Sequence, residues 1–254
     1  MSKRALTLVA VLLLAGCATP KSSVLPSESS KPGEDAAKLY APAKTAMERG
    51  DYSTAIKGFE DLEARYPYGP YAEQAQLDTA YAYYKQDESA AAVAAADRFI
   101  KLHPANPSVD YAWYIKGIAY YQAIKGPEWD PDPAEKAYDT LRTLVERFPN
   151  SRYAADARAR MAKVIDILGS RNLAICKFYY QRQAYVAAAD RCERVVTDYQ
   201  LSPAREEALY YLAKSYQKLG VDVLARQTAA VLAYNYPNSP HLKDLRDLLA
   251  TKNK

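Results

Sequence analysis

Five side chains in this 254-residue chain have the intrinsic reactivity of a nucleophile, a neutral-pH base or a soft-metal ligand: Cys17, Cys176, Cys192, His103 and His241. His103 directly precedes Pro104 and His241 directly follows Pro240, so both mark segment ends. Neither sits in a metal-ligand or catalytic-triad pattern. There is no glycine-rich phosphate loop, and the nine glycines fall mostly at turns. Asp and Glu occur where the pattern marks solvated helix faces. No catalytic residue, metal site or cofactor is expected, and the chain is not read as an enzyme.

Cysteine chemistry is left. Cys17 closes Leu14-Ala15-Gly16-Cys17, after Lys3, Arg4 and an apolar run from Ala5 to Ala15. The run is too short to span a bilayer and has the layout of a cleaved export signal. A small-residue site ending in Cys resembles the bacterial lipobox. That resemblance implies cleavage of residues 1–16 and acylation of Cys17, which becomes the first residue. Ala18 rather than Asp follows, so the expected address is the periplasmic face of the outer membrane. Several acyl chains on one residue give durable anchoring, where a single chain holds only marginally. Residues 17–34 then form the lipidated tether, Ser-, Pro- and Lys-rich, with too little apolar surface to fold. A coil of this length spans roughly 20–25 Å.

Cys176 and Cys192 flank the turn at Gln183-Ala184 at nearly equal distances and are expected to lie near each other across one hairpin. A periplasmic address permits a disulfide. Cys176 also occupies a position where related segments carry Ala or Gly, and free Cys packs as a small apolar group. The packing slot alone accounts for it, so two small core residues are the favoured reading.

The elements that position these residues repeat. Ala55, Ala92, Ala137, Ala188 and Ala225 each stand twelve residues before a segment end, which is proline in all but the fourth. Seven residues past each alanine comes Leu62, Phe99, Leu144, Val195 or Leu232. Twelve and nine residues before it come Ala43/Ala46, Ala80/Tyr83, Cys176/Tyr179 and Ala213/Tyr216, with Gly117/Tyr120 displaced by an eight-residue insertion. Small residues facing each other let antiparallel helices approach closely, and the bulky ones fill the space beside them. The pattern resembles the tetratricopeptide repeat of about 34 residues. It implies an all-α, right-handed α-solenoid of about five helical hairpins with a C-terminal capping helix. Helices are predicted near 35–49, 52–65, 71–86, 89–103, 108–124, 132–148, 151–182, 185–199, 204–219, 222–236 and 239–250. The 151–182 segment reads as an extra stretch fused to a repeat helix. The closing helix carries Leu242, Leu245, Leu248 and Leu249 on one side. The chain thus divides into N-terminal repeats at 35–125, a Pro-rich insertion at 126–133 and C-terminal repeats at 134–250. Trp129 in that insertion either folds back or protrudes.

Solenoids of this kind hold other chains. Removing residues 1–16 takes away Lys3 and Arg4 and lowers the formal net charge from +4 to +2, which is no nucleic-acid footprint. Twenty-three tyrosines against four phenylalanines suit a half-exposed recognition surface. Helical periodicity places Tyr40, Lys44, Gln74, Tyr81, Tyr84, Lys85, Tyr111, Tyr114, Tyr121, Lys177, Tyr180, Tyr210 and Lys214 on the inner face, with about half of the tyrosines exposed. Aromatic rings with scattered lysines and little acid suit a peptide with aromatic side chains and a carboxylate.

The stretch from Arg65 to Tyr71 (RYPYGPY), Gln74, Gln76 to Asp78, Tyr81 to Lys85, Asp97 to Pro104, and Asp110, Tyr111, Tyr114 and Gly117 carry a more specific likeness. With the lipobox, this region resembles the BamD family, the tetratricopeptide lipoproteins of the outer-membrane β-barrel assembly machinery. The likeness is strong from about 35 to 122 and looser to about 236. It implies that the N-terminal repeats receive unfolded outer-membrane proteins by a C-terminal strand ending in an aromatic residue. Tyr40, Lys44, Tyr68, Tyr71, Tyr81, Tyr84 and Lys85 are the expected substrate contacts. It further implies docking of the C-terminal repeats on the barrel-forming subunit, through Asp190, Arg191 and Arg194, and on accessory lipoproteins, with Trp129 as a further partner contact. Substrate engagement would then reposition one half against the other. The alternative is a tetratricopeptide lipoprotein scaffold of the cell-wall or division machinery.

Overall fold

The computed structural model describes residues 32–250. The export signal at 1–16, Cys17 and the tether up to residue 31 lie outside the described residues. Eleven α-helices follow: α1 (Pro32–Glu48), α2 (Tyr52–Arg65), α3 (Pro70–Lys85), α4 (Ser89–Leu102), α5 (Val109–Gln122), α6 (Asp132–Arg147), α7 (Ala154–Gln181), α8 (Tyr185–Asp198), α9 (Ala204–Lys218), α10 (Asp222–Asn235) and α11 (Arg246–Ala250). They pack as consecutive antiparallel pairs, the all-α solenoid that the repeat pattern implies.

The five repeated alanines are fully buried, and the five bulky residues seven positions on are at most 1% exposed. Close approach is obligatory at the third crossing. An added Cβ at Gly117 would lie 2.4 Å from Leu141 Cδ2, so any larger residue there would have to displace the buried Leu141 side chain. Four hairpins turn by one device. The residue five before the alanine adopts a positive φ: Gly50 (+82°), Asp87 (+62°), Gln183 (+62°) and Gly220 (+74°). The next N–H, from Asp51, Glu88, Ala184 or Val221, donates back to the carbonyl of Ala46, Tyr83, Tyr179 or Tyr216 at 2.9–3.0 Å. These bonds satisfy carbonyls that the ending helix orphans. The insertion at 126–133 replaces the device in the third hairpin.

Three expectations need correction. Helix α1 begins at Pro32, so residues 32–34, assigned to the tether, are helical. Pro at the first position and Glu34 and Asp35 in the first turn favour that start. The closing helix is split into a 3₁₀ segment (Pro240–Leu245) and α11, with the Ser239 side chain accepting the His241 N–H. Leu245 is fully buried with Leu209, Ala213, Ala225, Ala229 and Leu232, and Leu242 packs at their edge. The side chains of Leu248 and Leu249 lie outside the description. Third, Cys176 and Cys192 form a disulfide between α7 and α8, with Cα atoms 5.4 Å apart. Both residues are fully buried. The crossing that needs small residues places facing Cα atoms inside the bridging range of roughly 4.4–6.8 Å, so the packing slot and the bridge are one geometry.

Helix α7 runs unbroken for 28 residues, as the fused segment predicts. Its first half packs Val164 and Leu168 against Ala134 and Ala137 of α6. Its second half packs Leu173 and Cys176 against α8 and α9.

Candidate functional site

The odd-numbered helices from α1 to α9 touch their odd-numbered neighbours, whereas no two of α2, α4, α6, α8 and α10 meet. The array therefore curves with the odd-numbered helices inside. No helix among the described residues is long and apolar enough to cross a membrane.

At the N-terminal end of the inner face, α1 supplies Tyr40 and Lys44, and α3 supplies Gln74, Asp78, Tyr81, Tyr84 and Lys85. Asp78 organises them. It is 4% exposed. Its Oδ2 accepts from Tyr40 Oη at 2.6 Å and from Lys44 Nζ at 3.2 Å. Its Oδ1 accepts from Gln74 Nε2 at 3.0 Å. The Tyr40 ring lies 5.6 Å from Phe59 and 5.5 Å from Tyr71 between centroids. Burial, and then the hydrogen bond to Asp78, pushes the Tyr40 phenol well above its ordinary range, so it stays a donor.

The aromatic surface continues along α3 and α5. Tyr81 packs against the cores of both the first and the second hairpin, and Tyr84 against the second. Tyr111 and Tyr114 stack on Tyr153, at 5.0 and 4.6 Å. Tyr114 donates to Asp156 at 2.8 Å. Burial and that bond push its phenol up to about 12. Arg160 of α7 pairs with Asp156 and lies 5.0 Å from the Tyr121 ring. The inner-face tyrosines are all half-buried rather than split between buried and exposed, because each covers a seam between hairpins. At the far end, His241 stacks on Tyr210 at 4.4 Å and closes the face.

The structure thus gathers Tyr40, Lys44 and Gln74 around one buried acid, with Tyr71 against the Tyr40 ring and Tyr81 and Tyr84 on the adjoining helix face. Lys85 ends α3, exposed. Tyr68 stands apart. It is 90% exposed in the α2–α3 turn and borders, with Arg65, Tyr66 and Tyr71, a cavity of about 450 Å³. Residue-type reasoning missed Asp78, Tyr153 and Arg160. The signal for Asp78 was an acid among Ala75, Leu77 and Ala80, all buried.

The second candidate region surrounds the α7–α8 hairpin. Asp190 Oδ2 lies 3.9 Å from Arg191 Nε and 3.7 Å from Arg194 Nε, loose contacts on the outer side of α8. Arg191 also lines a cleft of about 620 Å³ with Ile175, Phe178 and Tyr179 of α7 and Pro127 and Glu128 of the insertion. Asp190 and Arg194 do not line it. Arg171 donates to the carbonyls of Pro127 and Trp129, which ties the insertion backbone down. The Trp129 ring itself is 57% exposed, with the Lys125 ammonium 5.2 Å from its centroid. The loop folds back and its indole protrudes. Phe178, which sequence periodicity left unremarked, is 48% exposed under the Arg182 guanidinium at 3.7 Å.

Among known proteins, the outer membrane lipoprotein family model (YfiO) matches residues 32–232. Over 252 residues the chain is 41% identical to the outer membrane protein assembly factor BamD of Neisseria meningitidis serogroup A, covering 95% of this chain and 94% of that one. It is 34% identical over 248 residues to the BamD of Caulobacter vibrioides, covering 96% of this chain and 80% of the relative. For the BamD of Vibrio cholerae the identity is 33% over 238 residues, with 90% and 96% covered. Tyrosine-lined hairpins, a match to the family model over most of the array and relatives aligned along nearly their whole length lead to one assignment: the chain belongs to the BamD family of outer membrane protein assembly factors.

Proposed function

We propose that this chain serves outer-membrane protein assembly as a non-enzymatic receptor and docking subunit. The N-terminal inner face receives the C-terminal strand of an unfolded outer-membrane β-barrel protein. The region around α8 docks on the barrel-forming subunit and accessory lipoproteins, while acylated Cys17 holds the chain at the periplasmic face of the outer membrane. One observation carries the receptor reading: Tyr40, Tyr71, Tyr81 and Tyr84 present ring faces and edges on one side of α1 and α3, held in place by packing and by Asp78. Rigid, half-buried aromatics bind an apolar strand with little ordering cost. The docking reading is supported by Arg191 at the rim of an apolar cleft, where a guanidinium fork meets a partner carboxylate.

The test uses the detergent-solubilised mature chain and a C-terminal strand peptide ending in phenylalanine, against the same peptide without it. Preferential binding of the first, weakened by both Tyr81→Ala and Lys85→Glu, supports reception at this face. Equal or absent binding of both peptides sinks it and leaves a scaffold of the cell-wall or division machinery as the better reading.

A further inference from the structure

Two lysines border the N-terminal inner face, and their surroundings are opposite. The Lys44 side chain is 34% exposed and donates to Asp78 at 3.2 Å. Lys85 is exposed and pairs with no carboxylate among the described residues. On charge alone both are candidates for a peptide's terminal carboxylate, yet only one of them is free to act.

Building on the receptor reading above, we infer that Asp78 is a built-in counter-anion that sets the specificity of this face. It holds Lys44 and Tyr40 to itself, makes the Tyr40–Tyr71 end a subsite for an uncharged aromatic side chain, and leaves the ligand's carboxylate to Lys85. Three donors converge on the Asp78 carboxylate, two at Oδ2 and one at Oδ1, the partners that a buried carboxylate requires. A ligand carboxylate that reached for Lys44 would draw a donor away from that buried charge. It would also bring a second anion close to Asp78, and like charges at such a distance repel. The ring of an incoming aromatic residue meets neither penalty. It finds Tyr40 and Tyr71 with ring centroids 5.5 Å apart and tilted by 49°, the Tyr71 side being 37% exposed and so within reach of a further ring. Lys85 lies four residues past Tyr81 on the same helix, one turn along the same face.

The specificity claim separates from the receptor reading when the peptide is offered as a free acid and as a carboxamide to the full mature chain. The wild type is expected to prefer the acid. Lys85→Met should abolish that preference, and Lys44→Met should leave it within about twofold. Asp78→Asn frees Lys44 and should raise the acid-to-amide preference about fivefold, the scale of one partly exposed ion pair. The double variant Asp78→Asn/Lys44→Met should return it to the wild-type ratio. A merely structural Asp78 moves both peptides alike, so an unchanged ratio in Asp78→Asn overturns the inference, as does loss of the preference in Lys44→Met alone. Acylation of lysines by a succinimidyl ester, followed by peptide mass spectrometry, needs no ligand. Lys44 should react several-fold more slowly than Lys85 in the wild type, and equal rates overturn the inference whether or not any peptide binds. If neither peptide binds while Lys44 is protected, the receptor reading fails and the counter-anion stands.

Discussion

The N-terminal inner face and the α7–α8 hairpin solve the same problem, holding a recognition surface still, by opposite means. In the first, side chains are fixed one by one: a single buried carboxylate takes Tyr40, Lys44 and Gln74. In the second, the backbone is fixed by the Cys176–Cys192 bridge, and the arginines above it make only loose contacts at 3.7–3.9 Å. Pre-set side chains suit a fixed chemical pattern met repeatedly. Adjustable arginines on a rigid hairpin suit a protein surface that must be matched in place.

The largest expected effect comes from removing the bridge. Cys176→Ala with Cys192→Ala should cost about 3 kcal/mol, the loop-closure entropy of a bridge over a 16-residue separation. Hydrogen exchange should locate the loss in α7 and α8, because stability in a solenoid is a sum over neighbouring units. Equal loosening of α1 and α3 would erase the contrast. Asp78→Ala should cost about 2 kcal/mol by leaving half-buried donors without an acceptor, read by urea unfolding, with protection lost in α1 and α3 and retained in α8. A smaller gain is expected from Gln183→Gly. Gln183 holds a φ of +62° in the α7–α8 turn, and relief of that conformation should stabilise the hairpin by about 0.5–1 kcal/mol. No gain would mean that the bridge already dictates the turn.

Alkali gives the mildest contrast. Burial is the first cause that raises Tyr114 and Tyr210 to about 12 from an ordinary value of 10.0. A folded-state pKa above the unfolded value means that the native state binds more protons in between. The stabilisation is complete below about pH 10 and is lost as pH rises through the folded values. Ultraviolet titration of the phenols alongside stability should show both falling out together over that window. Tyr210→Phe should remove that residue's own share and leave the shares of Tyr40, Tyr111 and Tyr114, raised by burial in the N-terminal half, intact.

The array was legible in the sequence because close helix crossings demand small residues at fixed spacing, and Ala55 to Ala225 advertise them. Element ends followed from Pro67, Pro104, Pro149 and Pro237. Tyr199, which lacks the proline, adopts the same capping conformation, φ −118° and ψ 46°, so the packing rather than the proline sets the end. The bridge was missed because a small-residue slot and a bridging distance were weighed as rivals, although one crossing produces both. Asp78 lies within the family-like motif, but its organising role is not legible there, since periodicity reports burial and not which donors arrive from another helix. Phe178 was missed for the converse reason. The fused α7 leaves part of its outer side without a neighbouring hairpin, and no local pattern announces a missing neighbour.

Helix α7 has a consequence for how such chains diversify. Each of α1 to α6 belongs to a single hairpin, so a unit can be gained or lost by recombination at a loop. The 28 residues of α7 seal the third hairpin with one end and open the fourth with the other. A crossover inside Ala154–Gln181 would strip core from two units at once. Loops ahead of residue 153 therefore offer cleaner exchange points than any position within the next span, and viable chimaeras are expected to inherit α7 whole.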